Sequence, residues 1–269
     1  GYITDPRTFG DDPTVVDAWD EEHYLDNGLW GGIVILGAAT HNWTAEELHI
    51  EGIPTTEERA RFGGNNDDDT SGVLRYVSIR FGGFELGANN EINGLTFGAV
   101  GRGTVIDHVE VYCNQDDGFE WFGGTVNCRY LVSAGCYDDA FDWDEGFRGR
   151  GQYWYAQQLG DNEQGDYCGE FDGGASGGKP YTVPVVANAS FLGDGANLLM
   201  KFRENSGGKF YNCHFANHES GLEIEDKDDP GVEDSRKRAE TGDLCIKNSV
   251  FSNIGLGSGK NQWHSTSDP

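Results

Sequence analysis

The stretch that decides the fold is Asp116-Asp-Gly-Phe-Glu-Trp-Phe-Gly-Gly124, which returns in altered form as Asp138-Asp-Ala-Phe-Asp-Trp-Asp-Glu-Gly146. The two copies begin 22 residues apart (116 to 138), and each alternates large apolar residues with other side chains, most of them acidic. Such alternation is typical of a β-strand, whose successive side chains point to opposite faces. A tandem motif at this spacing therefore predicts strands stacked one turn apart in a repeat protein.

Two interleaved series of short strands extend this period along the chain. The first series comprises Asn93–Phe97, Asp117–Trp121, Asp139–Trp143 and Ser220–Ile224. The second has the pattern apolar-x-x-small/apolar-x-apolar, at Leu74–Val77–Ile79, Ile106–Val109–Val111, Val186–Ala189–Phe191, Phe210–Cys213–Phe215 and Ile246–Ser249–Phe251, with a degenerate copy at Asn127–Tyr130–Val132. One such repeat cannot bury its own apolar face, so we expect stacked repeats to share a continuous core.

The alternation also predicts which side chains reach that core. We expect Phe119, Trp121, Phe141, Trp143, Leu222 and Ile224 to face inward. We expect Glu120, Asp142, Asp144 and Glu223 to face outward. Trp121 and Trp143 are thus predicted to form a stacked core ladder rather than an exposed sugar-binding platform.

These periods favour an all-β, right-handed parallel β-helix, a solenoid of 21–24-residue coils with loop insertions. Leucine-rich repeats need a regular leucine frame that is missing here, and propeller blades need about 40 residues. We expect a single domain over residues 1–269, with an irregular N-terminal segment over residues 1–29 and a charged loop insertion over residues 226–242.

Composition excludes several classes of protein. The chain has 46 acidic and 19 basic residues, a formal net charge of −27. A surface this negative repels nucleic acid and anionic membranes. Aromatic residues make up 12% of the chain, which argues against the disorder of acidic, hydrophobe-poor sequences. No apolar run approaches the roughly 20 residues of a membrane-spanning helix, so we expect no direct membrane insertion.

The N-terminus Gly-Tyr-Ile-Thr-Asp is no signal peptide, so we expect any export signal to have been removed. The six cysteines contain no CxxC pair, which disfavours structural zinc. Cys113 and Cys136 stand 23 residues apart (113 to 136), a spacing that fits a disulfide or, slightly better, a stacked thiol pair between coils. Two matters stay open: the pairing of Cys113, Cys128, Cys136, Cys168, Cys213 and Cys245, and glycosylation at Asn42 and Asn188.

Several segments together resemble a known family. They are Trp30-Gly-Gly-Ile-Val-Ile-Leu-Gly37, Gly72-Val-Leu-Arg-Tyr-Val77, Asp116–Asn127 and Asp138–Phe147. The likeness, over about residues 30–157, is to large, secreted, mostly uncharacterised bacterial surface proteins and lipoproteins with β-helix domains. In that family the Trp-Gly-Gly segment usually follows further coils, which implies that this chain is a piece of a longer protein. The resemblance implies an extracellular or cell-surface location and no established activity.

The acidic motifs predict a metal site. Asp116/Asp117 and Asp138/Asp139 should lie on adjacent coils about 4.8 Å apart, where so many carboxylates need protons or cations. Calcium suits them because it accepts six to eight oxygen ligands in loose geometry. The predicted ligands are Asp116, Asp117, Glu120, Asp138, Asp139, Asp142, Asp144 and Glu145. The alternative is solvated turn aspartates with diffuse counter-ions, which we favour for the separate run Asn65-Asn-Asp-Asp-Asp69.

A carbohydrate-active enzyme is the competing interpretation. Pectin-cleaving hydrolases with β-helix folds carry Asn-x-Asp, then Asp-Asp, Gly-His-Gly and Arg-x-Lys. This chain has Asn114-Gln115-Asp116 and Asp138-Asp139 but no Gly-His-Gly, and its basic triplet Lys201-Phe202-Arg203 is reversed. Paired carboxylates on neighbouring coils are the acid and base that glycoside hydrolysis needs.

A polysaccharide lyase is the second catalytic alternative, since it requires a basic residue near a calcium ion. Lys201 and Arg203 follow on a later coil of the acidic series, where they could lean over the carboxylates. Their simpler predicted role is pairing with Glu204 and Glu223.

The sequence therefore predicts a non-catalytic, calcium-stabilised extracellular β-helix that acts as a stalk, adhesin or fibre subunit. Unpaired strand edges at the two ends of an open β-helix favour end-to-end self-association or contact with other surface proteins. Glycans are a further candidate partner.

Overall fold

The computed structural model describes residues 27–84, 92–159, 165–175, 177–195, 198–229, 231–255 and 263–266. Most of the predicted irregular segment 1–29 lies outside the described residues.

Two parallel sheets wind through the described chain. Sheet 1 has eight strands, in the spatial order β1 (Ile33–Leu36), β5 (Leu95–Gly98), β7 (Phe119–Phe122), β9 (Phe141–Asp144), β12 (Tyr167–Phe171), β15 (Leu198–Phe202), β18 (Ser220–Glu225) and β21 (Trp263–Thr266). Sheet 2 has eleven strands: β4 (Val73–Arg80), β6 (Val105–Tyr112), β8 (Asn127–Ala134), β10 (Arg150–Gln152), β11 (Tyr155–Gln157), β13 (Val185–Ala187), β14 (Ser190–Leu192), β16 (Gly208–Tyr211), β17 (His214–His218), β19 (Leu244–Lys247) and β20 (Val250–Ile254). The predicted right-handed parallel β-helix is confirmed.

The inward-facing aromatic residues form the predicted core ladder. In sheet 1, Trp121 is in register with Trp143, and the ladder continues to Phe97 on one side and Phe171 on the other. Trp121 stacks on Phe97 at 5.2 Å between ring centroids, and Trp143 stacks on Phe171 at 3.5 Å. All four side chains are fully buried, which contributes on the order of 2 kcal/mol each. The two tryptophans are therefore core residues and present no sugar-binding platform.

One predicted repeat was wrong by one residue. In β8, Cys128, Leu131 and Ser133 face the core and align with the preceding coil, whereas Tyr130 is exposed. The hydrophobic pattern misleads here because the buried position 133 is a serine. Its hydroxyl lies 3.3 Å from the thiol of Cys136, which makes the polar group tolerable inside.

A segment that we call the cover, residues 38–66, packs on the outward face of sheet 1. It contains the antiparallel pair β2 (Leu48–His49) and β3 (Arg61–Phe62) and a 3₁₀ turn at Glu58–Ala60. Phe62 of the cover packs against the outward Phe122 of β7 in a second, small core. Asn42 anchors the cover, because its backbone N–H donates to the Glu145 carbonyl at 2.9 Å and its side chain to the Gly173 carbonyl.

The charged insertion 226–242 contains the short helix α1 (Ser235–Thr241). Buried Asp234 caps its N-terminus by accepting from the Lys237 N–H, and Gly242 ends it in the left-handed conformation. No helix in the described ranges is long and apolar enough to span a membrane. All six cysteines are free thiols, so the disulfide alternative for Cys113 and Cys136 is not formed.

Candidate functional site

One outward position on each coil of sheet 1 from β7 to β18 forms a ladder of ionisable side chains. The register places Glu120 beside Asp142, as predicted, and Asp142 beside Glu170. The ladder then continues through Lys201 to Glu223. Each step is one coil, so these groups are held at close distance by the hydrogen bonds of the sheet rather than by their own attraction.

Two buried aspartates precede the strands at the start of this ladder. The Asp117 carboxylate accepts from the Asp139 N–H at 2.9 Å, and the Asp139 carboxylate accepts from the Tyr167 N–H at 2.7 Å. Both are nearly inaccessible, at 6% and 3% exposure. Each aspartate therefore ties its own coil to the next one while placing a carboxyl group beside the ladder.

The carboxylates converge in three overlapping triads whose ligand oxygens lie within 4.8 Å of one another. The triads are Asp116–Asp117–Asp138, Asp117–Glu120–Asp142 and Asp139–Asp142–Glu170. Six of the eight predicted ligands are thus brought together. Sequence reasoning missed Glu170, although Glu-Phe-Asp-Gly-Gly at 170–174 repeats the Glu-Trp-Phe-Gly-Gly of 120–124.

The other two predicted ligands, Asp144 and Glu145, lie outside these triads. Asp144 is close enough to Asp172 for their charges to interact. Glu145 receives a side-chain hydrogen bond from the half-exposed Trp43 of the cover. The two residues therefore form the rim of the acidic face, next to the cover.

Burial and mutual repulsion disfavour ionisation of the whole group. Burial, followed by the neighbouring carboxylates, raises the pKa values of Asp117, Glu120, Asp139 and Asp142 well above their ordinary range, although the backbone N–H of Tyr167 partly opposes the shift at Asp139. Burial also raises the pKa of Asp144 to about 7 and that of Glu145 to about 8. The face can thus be fully charged near neutral pH only if cations bind to it.

Two oxygen atoms of this face lack partners. Asp142 Oδ1 and Glu145 Oε2 are buried and accept no hydrogen bond. A buried carboxylate oxygen without a donor costs free energy. The carboxyl of Glu120 is contacted by the Asn93 amide and by the carboxyl of Glu51 from the cover. Two carboxyl groups in hydrogen-bond contact need a shared proton or a bridging cation.

The late part of the ladder, Glu170 with the adjacent Asp172, is neutralised by basic side chains. Lys201 Nζ lies 3.2 Å from Glu170, while Arg203 lies 2.8 Å from Glu170 and 2.6 Å from Asp172. Both basic residues thus lean over the acidic face, and their ion pairs are with Glu170 and Asp172 on the preceding coil. The register also places Lys201 beside its expected partner Glu223 on the following coil.

The run Asn65–Asp69 is structural. Asp67 accepts from the Thr40 N–H at 3.1 Å, the Thr40 hydroxyl at 2.7 Å and Arg148 at 2.8 Å. Burial alone would raise the pKa of Asp67, but these donors outweigh it and lower the value. The carboxylate is therefore already satisfied and fixes the cover to the β-helix.

The donor set on sheet 1 consists of clustered carboxylate oxygens, which could hold a metal ion. Residues 10–267 match the family described as a pectate-lyase-like beta helix domain. No curated protein and no solved structure matches the chain. The match covers nearly the whole sequence and agrees with the parallel sheets, so the chain belongs to the pectate-lyase-like β-helix domain family.

Proposed function

We propose that this chain is an extracellular, calcium-stabilised β-helix module that serves as a surface stalk, adhesin or fibre subunit. The proposal rests on the early part of the ladder, which consists of Glu120 and Asp142 with the adjacent Asp117 and Asp139. Among the described residues, no lysine or arginine forms an ion pair with Asp117, Glu120, Asp139 or Asp142, and the buried Asp142 Oδ1 has no donor. A divalent ion at this position would satisfy that oxygen and offset the repulsion.

Calcium fits the arrangement better than magnesium. Magnesium demands near-ideal octahedral geometry and keeps several waters, whereas calcium takes six to eight oxygens in irregular geometry. Overlapping triads that share Asp117 and Asp142 offer many oxygens without fixed angles. Asp116, Asp138 and Asp142 are partly or fully exposed, so water can reach the site and complete the coordination.

A scaffold role is supported by the engagement of the basic residues. Lys201 and Arg203, which a lyase would use as a base, are each held in ion pairs with Glu170 or Asp172. In the described part of the chain, β1 and β21 end sheet 1 and β4 pairs only with β6. Strand edges at the ends of a solenoid are the surfaces through which copies or further coils can join. End-to-end association is therefore part of the proposal.

A thermal melt in calcium and in excess chelator tests the proposal. At a calcium concentration a hundredfold above Kd, binding adds about 2.7 kcal/mol, or roughly 5–10 °C for a domain of this size. The matched control is Asp67→Asn, which removes an acidic group already paired with Arg148. That variant should lower the melting temperature equally in both conditions. Identical wild-type melts with and without calcium would contradict the proposal.

The family match favours a second candidate, a carbohydrate-active enzyme that uses the same acidic face. Asp117→Asn and Asp139→Asn separate the two functions. Either function predicts altered stability, because both carboxylates accept backbone N–H groups of the next coil. An enzyme would in addition lose turnover of polysaccharide at temperatures where each variant is still folded, whereas a scaffold has no such turnover to lose.

A further inference from the structure

A second feature lies on sheet 2, apart from the acidic face. Four aromatic rings on successive coils, Tyr76, His108, Tyr130 and Tyr153, stack along the outside of the sheet. Their ring centroids are 4.6, 4.3 and 4.9 Å apart, with interplanar angles of 13–21°. We call these four residues the aromatic stripe.

The backbone does not require aromatic residues at this position. All four residues of the stripe have positive φ, between 53° and 60°. The next three coils have the same conformation at the same register position, and there the residues are Asn188, Asn212 and Asn248. Asparagine, aspartate and histidine are enriched in the left-handed region, whereas tyrosine and most other non-glycine residues lose roughly 1–2 kcal/mol there.

Stacking offsets only part of that cost, at about 0.5–1.5 kcal/mol per ring pair. The rings also remain accessible, with Tyr76 exposed by 78%, Tyr130 by 40% and Tyr153 by 43%. Strained aromatic residues that stay on the surface, where the fold itself uses asparagine on later coils, point to a role outside the fold.

Planar polar groups flank the stripe, and their charges nearly balance. The buried Asp107 carboxylate contacts His108 and lies 3.2 Å from Arg129 and 3.8 Å from Arg75. On the other side, Arg80 pairs with Glu110 at 2.7 Å. The surroundings therefore offer hydrogen-bond donors and acceptors without a strong field of either sign.

We propose that the aromatic stripe binds an uncharged, linear polysaccharide laid along the axis of the β-helix. The stripe is four rings long but one ring wide, far narrower than the roughly 800 Å² per partner of a protein interface. A net charge of −27 repels polyanions. Ring edges carry partial positive charge and attract hydroxyl oxygens, and the open face of Tyr76 offers an apolar surface to a sugar ring.

The test is retardation of the purified chain in native gels that contain hydroxyethylcellulose, xylan or galactomannan, with polygalacturonate as the anionic comparison. Wild type should be retarded by at least one uncharged polymer. The double variant Tyr130→Asn/Tyr153→Asn carries the residue that later coils use at this position, so it should keep its melting temperature. It should bind at least roughly tenfold more weakly, a loss of about 1.4 kcal/mol.

Tyr76→Asn is a second variant that should leave the fold intact, since this ring packs on one neighbour and is otherwise exposed. It should also weaken binding, whereas Tyr211→Asn, on the same sheet but off the stripe, should not. Three results would overturn the proposal: no retardation by any uncharged polymer, full retention of binding in the asparagine variants, or stronger binding to polygalacturonate.

Discussion

The early and late parts of the ladder on sheet 1 differ in how the repulsion among their clustered carboxylates is neutralised. At the ends of β12 and β15, the carboxylates of Glu170 and Asp172 are bound by Lys201 and Arg203. On β7 and β9, equivalent positions hold Glu120 and Asp142. In the described chain no lysine or arginine lies within ion-pair distance of them, and only the more distant charge of Arg203 reaches Asp142. One part carries its own counter-charges, while the other must obtain protons or cations from solution.

This difference explains why an acidic ladder alone is a weak indicator of a metal site. A row of carboxylates with arginine on the next coil needs no external cation for neutralisation, as the Arg203–Asp172 distance of 2.6 Å illustrates. Where that partner is missing and a buried oxygen is left without a donor, an external ion has a defined role. Substitutions and changes of pH or calcium that alter the neutralisation of the carboxylates should therefore affect the two parts differently.

The largest expected effect is on the pH dependence of the metal-free protein. Carboxyl groups with raised pKa values bind more protons folded than unfolded, so the free energy of unfolding falls as pH rises from about 4. The fall continues through the pKa values of about 7 for Asp144 and about 8 for Glu145. We expect a loss of ~3 kcal/mol or more between about pH 5 and pH 8 in chelator, measured by urea unfolding. Saturating calcium should flatten the profile, and a chelator profile that rises with pH would contradict the assignment.

Arg203→Met should convert the late part into a copy of the early part. The substitution leaves Glu170 and Asp172 half-buried without their shared guanidinium. We expect a loss of about 2 kcal/mol in chelator, below the range for a fully buried pair because the Arg203 side chain is 36% exposed. Calcium should restore part of the loss.

Lys201→Met is the matched control for that change, since Lys201 has a single ion pair at 3.2 Å and Arg203 would still hold Glu170. Its effect should be smaller, about 1 kcal/mol or less. If Lys201→Met and Arg203→Met were equally damaging, the ion-pair geometry would not be the source of neutralisation in the late part.

Asp142→Asn tests the early part with the smallest change in shape. The amide removes one charge from two triads at once, so the variant should be more stable than wild type in chelator by about 1 kcal/mol. The same variant should gain little from calcium. Melting curves in both conditions measure this reversal, and a variant that is destabilised without calcium would argue for a structural hydrogen bond instead.

Much of the fold could be predicted because successive coils carry the same type of residue at their core positions. Trp121 and Trp143 alternate with acidic residues, and that pattern correctly predicts both the stacked core and the pairing of Glu120 with Asp142. The repeat at Tyr130 was predicted one residue out of position because the buried residue there is Ser133, a polar residue that a hydrophobic pattern does not detect. Periodicity thus fails where a buried polar group is satisfied by tertiary contacts.

The candidate site was only partly predictable for a different reason. Glu170 follows Asp142 after 28 residues (142 to 170) rather than 22, because an insertion lengthens the coil. The contribution of Glu51 depends on how the cover folds back onto β7, a long-range contact that leaves no local pattern in the sequence. Calcium binding, extracellular location and self-association remain predictions.

Counting bound calcium is the most direct test of the central proposal. Wild type and the double variant Glu120→Gln/Asp142→Asn would be stripped with chelator, dialysed to equilibrium against micromolar calcium and analysed for metal per chain. We predict at least one tightly bound ion per wild-type chain and its loss in the double variant. Calcium-free wild type after dialysis, or equal binding by both proteins, would contradict the assignment of the early ladder as a metal site.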